Sequence, residues 1–190
     1  MDNLEGGMTK KQVIVFNLDK LNEEDFLNFV KEIKELDDSL VPEQMQFSLK
    51  ELKNFFSNRK GVNLVVKNND GKITGYLASV PHNEEIKNLK KYDSLFKEDN
   101  GALYIESLAV KKGDLGTFNN LLEKLIDEAS PRYKKITMHA RASEGNNLSH
   151  VLVERYHFKY LRTILNWYGY GEPFDYLEFY FLTEDVSKKS

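Results

Sequence analysis

Apolar residues along the chain follow two periods, and the switching between them lays out the elements. The β-branched run "QVIVFNL" (residues 12–18) predicts a short opening strand. In "LNEEDFLNFVKEIKELDDSL" (21–40), Phe26, Phe29, Val30, Ile33 and Leu40 mostly share one helical face. Asn22 supplies a cap there, the acids at 23–25 suit the first turn, and Pro42 closes the helix. Ser48 with Glu51 three residues on predicts a capped short helix over "LKELKNFFSN" (49–58). Two β-rich runs then flank Asn69-Asp70-Gly71 in "VNLVVKNNDGKITGYLASV" (62–80), which predicts a hairpin.

The second half alternates strand and helix. "GALYIESLAV" (101–110) reads as a strand, and Leu115, Phe118, Leu121, Leu122, Leu125, Ile126 and Ala129 keep a helical period over 114–129 until Pro131. A strand over 134–142, a helix over 147–158 and two aromatic strands over 160–170 and 176–182 follow, the last two joined by "GEPFD". Strand-helix-strand passages imply parallel pairing through right-handed crossovers, and the hairpin implies antiparallel pairing. The expected class is α/β (α+β): one domain over 12–183, a mixed sheet of about seven strands with helices on both faces, and flexible ends at 1–11 and 184–190.

Composition narrows the partners. The chain has 190 residues, 41% hydrophobic and 30% charged, which reads as a soluble globular domain. No apolar run approaches the roughly 20 residues of a membrane span, and the N-terminus lacks the order of a secretory signal. Cysteine is absent, which fits the cytoplasm. A net charge of −3 argues against nucleic acid and anionic membranes as partners. The segment "KNLKKYDSLFKEDN" (87–100) reads as a solvated connection. His82, His139, His150 and His157 show no metal-ligand spacing, so no metal is expected, and His139 reads as a strand-face or core histidine.

The stretch "YIESLAVKKGDLG" (104–116) carries the candidate chemistry. It is a strand entering a helix through glycines, and unpaired amides at a helix start can hold a phosphate while glycine lets the backbone approach it. The run is neither a P-loop nor a dinucleotide fingerprint. Glu106 is a lone acid in an apolar strand, which is costly unless solvated or set in a cleft. Strict alternation would place it on the face of Leu108 and Val110.

Together with "ITMHARASEGNNLSHVLVERYHF", the hairpin "VVKNNDGKITGYLAS" and the aromatic C-terminal strands, this stretch resembles the GCN5-related N-acetyltransferase (GNAT) superfamily over residues 62–182. The resemblance implies acetyl-CoA as cofactor. Its pantetheine arm would pair with the backbone at Leu108 and Val110, in a gap between splayed strands. Its pyrophosphate would rest on the amides of Gly113, Leu115, Gly116 and Thr117, with Lys111 and Lys112 nearby and Asn146 and Ser149 toward the arm.

By the same resemblance, Glu106 is the expected base and Tyr156 the expected acid, although Val153 stands where the family's tyrosine falls. Trp167, Tyr168 and Tyr170 would wall the acceptor pocket. The turn departs from the family at Gly113 and Phe118, and His157 replaces a glycine. The implied activity is acetyl transfer to a small-molecule, peptide or protein amine by direct attack. The alternative is a GNAT-like binding or regulatory module without catalysis. A homodimer, if formed, would pair through the aromatic hairpin.

Overall fold

The computed structural model describes residues 12–111, 113–143 and 146–181, with only the backbone at Asn146 and Asn147. Both expected flexible ends and Lys112 lie outside the described residues. The strands are β1 (Gln12–Val15), β2 (Leu64–Lys67), β3 (Ile73–Pro81), β4 (Ala102–Val110), β5 (Lys135–Ser143), β6 (Asn146–Asn147), β7 (Lys159–Ile164) and β8 (Phe174–Tyr180). The helices are α1 (Glu23–Leu40), α2 (Leu49–Ser57), α3 (Ile86–Leu89), α4 (Leu115–Ala129) and α5 (Leu148–Tyr156). Seven strands form one sheet in the order β1-β2-β3-β4-β5-β8-β7, with the two-residue β6 appended to β5. Among the described residues only β4 and β5 pair in parallel; the other neighbours are antiparallel, so the expected mixed sheet is present.

Local chemistry sets the helix ends as the sequence indicates. Asn22 caps α1, its side chain accepting from the Asp25 N–H at 2.8 Å. Ser48 and Glu51 form a reciprocal capping box at α2. The helices α4 and α5 bury Leu121, Leu122, Leu125 and Leu152 against one sheet face. On the other face, α1 and α2 bury Phe26, Val30, Ile33, Leu52 and Phe56 over β2 and β3.

The remainder of that second face is covered by the segment after β3, not by a helix of ordinary length. Leu89 and Phe96 are 1% exposed and pack with Val80, Tyr104, Trp167 and Tyr176. The expectation of a solvated connection over 87–100 is therefore wrong: its lysines face water, while Leu89, Asp93 and Phe96 turn inward. A second correction concerns the aromatic strands. The first ends at Ile164, and Trp167–Gly169 is a single helical turn with Tyr168 at φ 52°. Among the described residues no helix is long and apolar enough to cross a membrane.

Candidate active site

β4 and β5 pair only at Ala102–Ile105 with Lys135–Met138, although both strands run on beyond this point. β4 stays bonded to β3 as far as Val110, and β5 stays bonded to β8 as far as Arg141. The strands part because each follows its outer neighbour. Among the described residues, the inner edges of β4 past Ile105 and of β5 at His139–Arg141 have no strand partner, and β5 meets β6 only at Ala142 and Ser143. A cleft of about 830 Å³ opens at this parting, lined by β4 residues 104–110, by Phe118, Met138 and Leu148, and by the ends of α1 and α2.

At the parting point β4 carries a bulge. Ala78 faces Ser107 and Ser79 faces Ile105, so Glu106 is an extra residue that nothing on β3 opposes. The bulge reverses the alternation. Leu103, Ile105, Leu108 and Val110 all meet the α4 side, whereas Tyr104 and Ala109 meet the other. The expected shared face of Glu106, Leu108 and Val110 is thus incorrect, because alternation fails across a bulge. Glu106 turns instead toward Tyr104 and Tyr168, whose phenols its charge helps to push up.

A buried tether fixes the strand beside this bulge. Asp37, on the inner face of α1, accepts from the Tyr76 hydroxyl at 2.5 Å and from the Phe47 N–H at 3.0 Å. The Tyr76 hydroxyl also bonds Ser107 Oγ at 2.9 Å, so the residue next to Glu106 is held through β3 to α1. Glu106 itself has Oε1 buried with no hydrogen-bond partner among the described residues. Burial, reinforced by the charge of Glu85, holds its carboxyl well above the usual carboxylate range.

Behind Glu106 lies a polar chain that sequence reading did not assemble. The Tyr104 hydroxyl is 2.9 Å from His139 Nδ1, and His139 Nε2 is 3.2 Å from Asp93 Oδ2. Arg162 grips the same aspartate through Nε, at 3.0 Å, and Nη2. Burial opposes ionisation of Asp93, but the bonds from His139 and Arg162 prevail and hold its carboxyl at about 2. Burial drives His139 down to about 4 against the pull of Asp93, so the imidazole is neutral at physiological pH. An ionised Asp93 only accepts, so Nε2 carries the ring proton and Nδ1 accepts the Tyr104 O–H. The reading of His139 as a buried strand histidine holds; its partners come from segments distant in sequence.

The other predicted residues separate into three groups. Leu108, Val110, Trp167, Tyr168 and Tyr170 line the cleft with Glu106. Gly113, Leu115, Gly116 and Thr117 form the turn from β4 into α4, with the exposed Lys111 just before it. Gly113 has φ 85°, which glycine adopts without penalty, while Gly116 lies inside the helix. Asp114 already caps this helix, accepting from the Thr117 N–H at 3.1 Å and from its hydroxyl at 2.7 Å.

The third group stands apart from the cleft lining. Ser149 is buried and donates to Asp175 Oδ2 at 2.5 Å. Tyr156 donates to Asn119 on α4 and packs edge-on against Phe118. The turn of α5 that carries Tyr156 points its hydroxyl at Asn119 on α4, apart from the cleft lining; the side chain of Asn146 is outside the described residues. His157 has φ 58°, the left-handed conformation that explains why a glycine would suit this position.

No protein-family model matches the sequence, and no curated protein matches it. Solved structures do. The ribosomal-protein-S18-alanine N-acetyltransferase of Escherichia coli is 15% identical with a TM-score of 0.64, over 93% of this chain and 99% of that one. NAA60 of Arabidopsis thaliana, in complex with acetyl-CoA, is 16% identical with a TM-score of 0.63, over 90% and 98%. Ard1 of Thermoplasma volcanium is 11% identical with a TM-score of 0.65, over 91% and 99%. At these identities the likeness is one of architecture, and the chain has the fold of the GNAT acetyltransferases.

Proposed function

We propose that the chain is an acyl-CoA-dependent N-acyltransferase that moves an acetyl group from acetyl-CoA to an amine. The observation that carries this reading is the parting of β4 from β5, with Glu106 just past the last paired residue and one of its carboxyl oxygens buried and unpartnered among the described residues. An unpaired strand edge suits an extended ligand bearing amide groups, because its N–H and C=O groups can continue the ladder. The β4 edge over 106–110 would hold the pantetheine arm, and the amides of Gly113, Leu115 and Gly116, with Lys111, would meet the phosphates. Bound acetyl-CoA supplies the acyl group as an activated thioester.

The chain supplies positioning and proton transfer. Glu106 takes the proton that the incoming ammonium must lose, a task its raised affinity for protons suits. Tyr104, held by neutral His139, closes the cleft wall beside it. The acceptor class is a small-molecule amine or the amine of a peptide or protein.

Titration calorimetry and thermal melting with acetyl-CoA test the reading. At a hundred times Kd, binding should add about 2.7 kcal/mol and raise Tm by roughly 5–10 °C. No heat and no shift at millimolar acetyl-CoA would overturn it. Binding without transfer to any amine would point to the binding-module alternative. Asp114 places a carboxylate beside the expected phosphates, so Asp114→Asn should tighten CoA binding about two- to fivefold while preserving a capping side chain. Unchanged affinity would move the phosphates elsewhere.

A further inference from the structure

The cleft is lined by more acidic than basic side chains. Glu51, Glu84, Glu85 and Glu106 line it, against Lys91 and Arg141. Arg141 is engaged by Glu172, with Nη2 2.5 Å from Oε1. Glu84 meets Asn58 at 2.6 Å and Lys60 at 3.9 Å, and Glu85 accepts from the Asn88 amide at 2.9 Å. Glu106 has one carboxylate oxygen fully buried and unpartnered among the described residues.

Aromatic faces stand beside these acids. Tyr92 stacks on Tyr168 with centroids 4.2 Å apart and planes 25° apart, and Tyr168 stacks on Tyr170 at 5.7 Å and 13°. Such faces attract an ammonium, more strongly where water is excluded. Burial first, and then the charges of Glu106 and Glu85, push the Tyr168 phenol up, so it stays neutral at physiological pH. Any negative charge here therefore belongs to the carboxyls, and although burial raises both Glu85 and Glu106, an ammonium beside Glu85 favours its ionised form. A nitrogen that reacts must shed its proton and become neutral, which leaves the charge of Glu85 unmet by a monoamine.

We propose that the acceptor is an aliphatic diamine or polyamine whose reacting nitrogen sits at Glu106 and whose second ammonium is held by Glu85 against Tyr92 and Tyr168. This rests on the acyltransferase reading. The nitrogen forms the amide C–N bond as the thioester C–S bond breaks. Glu106 receives one ammonium proton and passes it to solvent; a second N–H proton ends on the departing sulfur. A peptide amine lacking a second cation gains nothing from Glu85.

The test compares binding of 1,4-diaminobutane, 1-aminobutane and trialanine to the full chain by calorimetry, with non-reactive CoA present and absent. The diamine should bind at least about tenfold more tightly than the monoamine. Glu85→Gln, which keeps an amide partner for Asn88, should shrink that ratio to about twofold or less. Tyr92→Leu, at a position 40% exposed, should reduce it as well. Equal or tighter binding of the monoamine or peptide overturns the proposal, as does a ratio that neither variant changes. Absence of acetyl-CoA binding would defeat the acyltransferase reading instead, and amine binding without CoA would still decide the diamine site.

Discussion

Glu106→Gln is expected to lower kcat about a hundredfold or more while making the protein more stable above neutral pH. The first effect follows from its position: positioned proton transfer contributes roughly 10²–10⁴ to rate, and Glu106 lies on β4 just past its pairing with β5, with one oxygen buried and unpartnered among the described residues. The wild-type rate should rise with pH through a limb above the ordinary carboxylate range, because burial and Glu85 keep the carboxyl protonated at acidic pH. The glutamine variant should lack this limb.

The second effect follows from linkage. A carboxyl raised in the fold holds its proton where the unfolded chain has released it. Its contribution to stability is fully present below the unfolded value and is lost as pH rises through the folded one. Glutamine removes that loss, so the variant should gain on the order of 1 kcal/mol at alkaline pH, a Tm rise of roughly 2–4 °C. The difference should vanish as pH falls. Melts at several pH values together with steady-state rates check both effects, and an unchanged rate would remove Glu106 as the base.

Gly61→Ala should be the most damaging single methyl group in the described chain. A Cβ there would stand 1.9 Å from the Ser79 carbonyl oxygen and 3.0 Å from its carbon. Neither side can yield easily. Ser79 Oγ donates to the Val62 carbonyl at 2.7 Å and accepts from the Val62 N–H at 2.8 Å, while the Ser79 N–H meets Asn63 Oδ1 at 3.1 Å. Arg132 and the Tyr133 hydroxyl hold the carbonyls of Lys60 and Gly61 from α4's end.

The expected cost is about 3 kcal/mol or more, a Tm drop of roughly 6–12 °C, measured by urea and thermal unfolding. Gly71 makes the informative contrast. Its φ is 78° and nothing lies within 4 Å of its would-be Cβ, so Gly71→Ala should cost only about 1–2 kcal/mol of backbone strain. A larger loss at Gly71 than at Gly61 would show that the loop before β2 moves aside.

Elements were legible wherever a local signal set them. Asn22, Ser48 with Glu51, and the turn around Gly71 each act within a few residues, and all appear where the sequence puts them. The strand bearing Glu106 was legible too, as was the parallel crossover that places β4 beside β5. What alternation could not reveal is the bulge, since one extra residue against β3 depends on register between strands. The segment 87–100 misled because charge outnumbers apolar residues in it, although Leu89, Asp93 and Phe96 complete the core beside the cleft. Where the Tyr156 hydroxyl points was not legible, because a rotation of α5 decides whether it meets the cleft or Asn119.

The stack of Trp167 on His139 has a practical corollary. The chain contains a single tryptophan, and this indole lies 3.8 Å from the imidazole at the lining of the cleft. Because the imidazole is neutral down to about pH 4, it leaves the indole emission unperturbed by charge across the physiological range. All tryptophan fluorescence of the chain therefore originates beside Tyr168 and Phe174, within the cleft wall itself. The molecule carries its own optical probe of that wall, with no second indole elsewhere to dilute the signal.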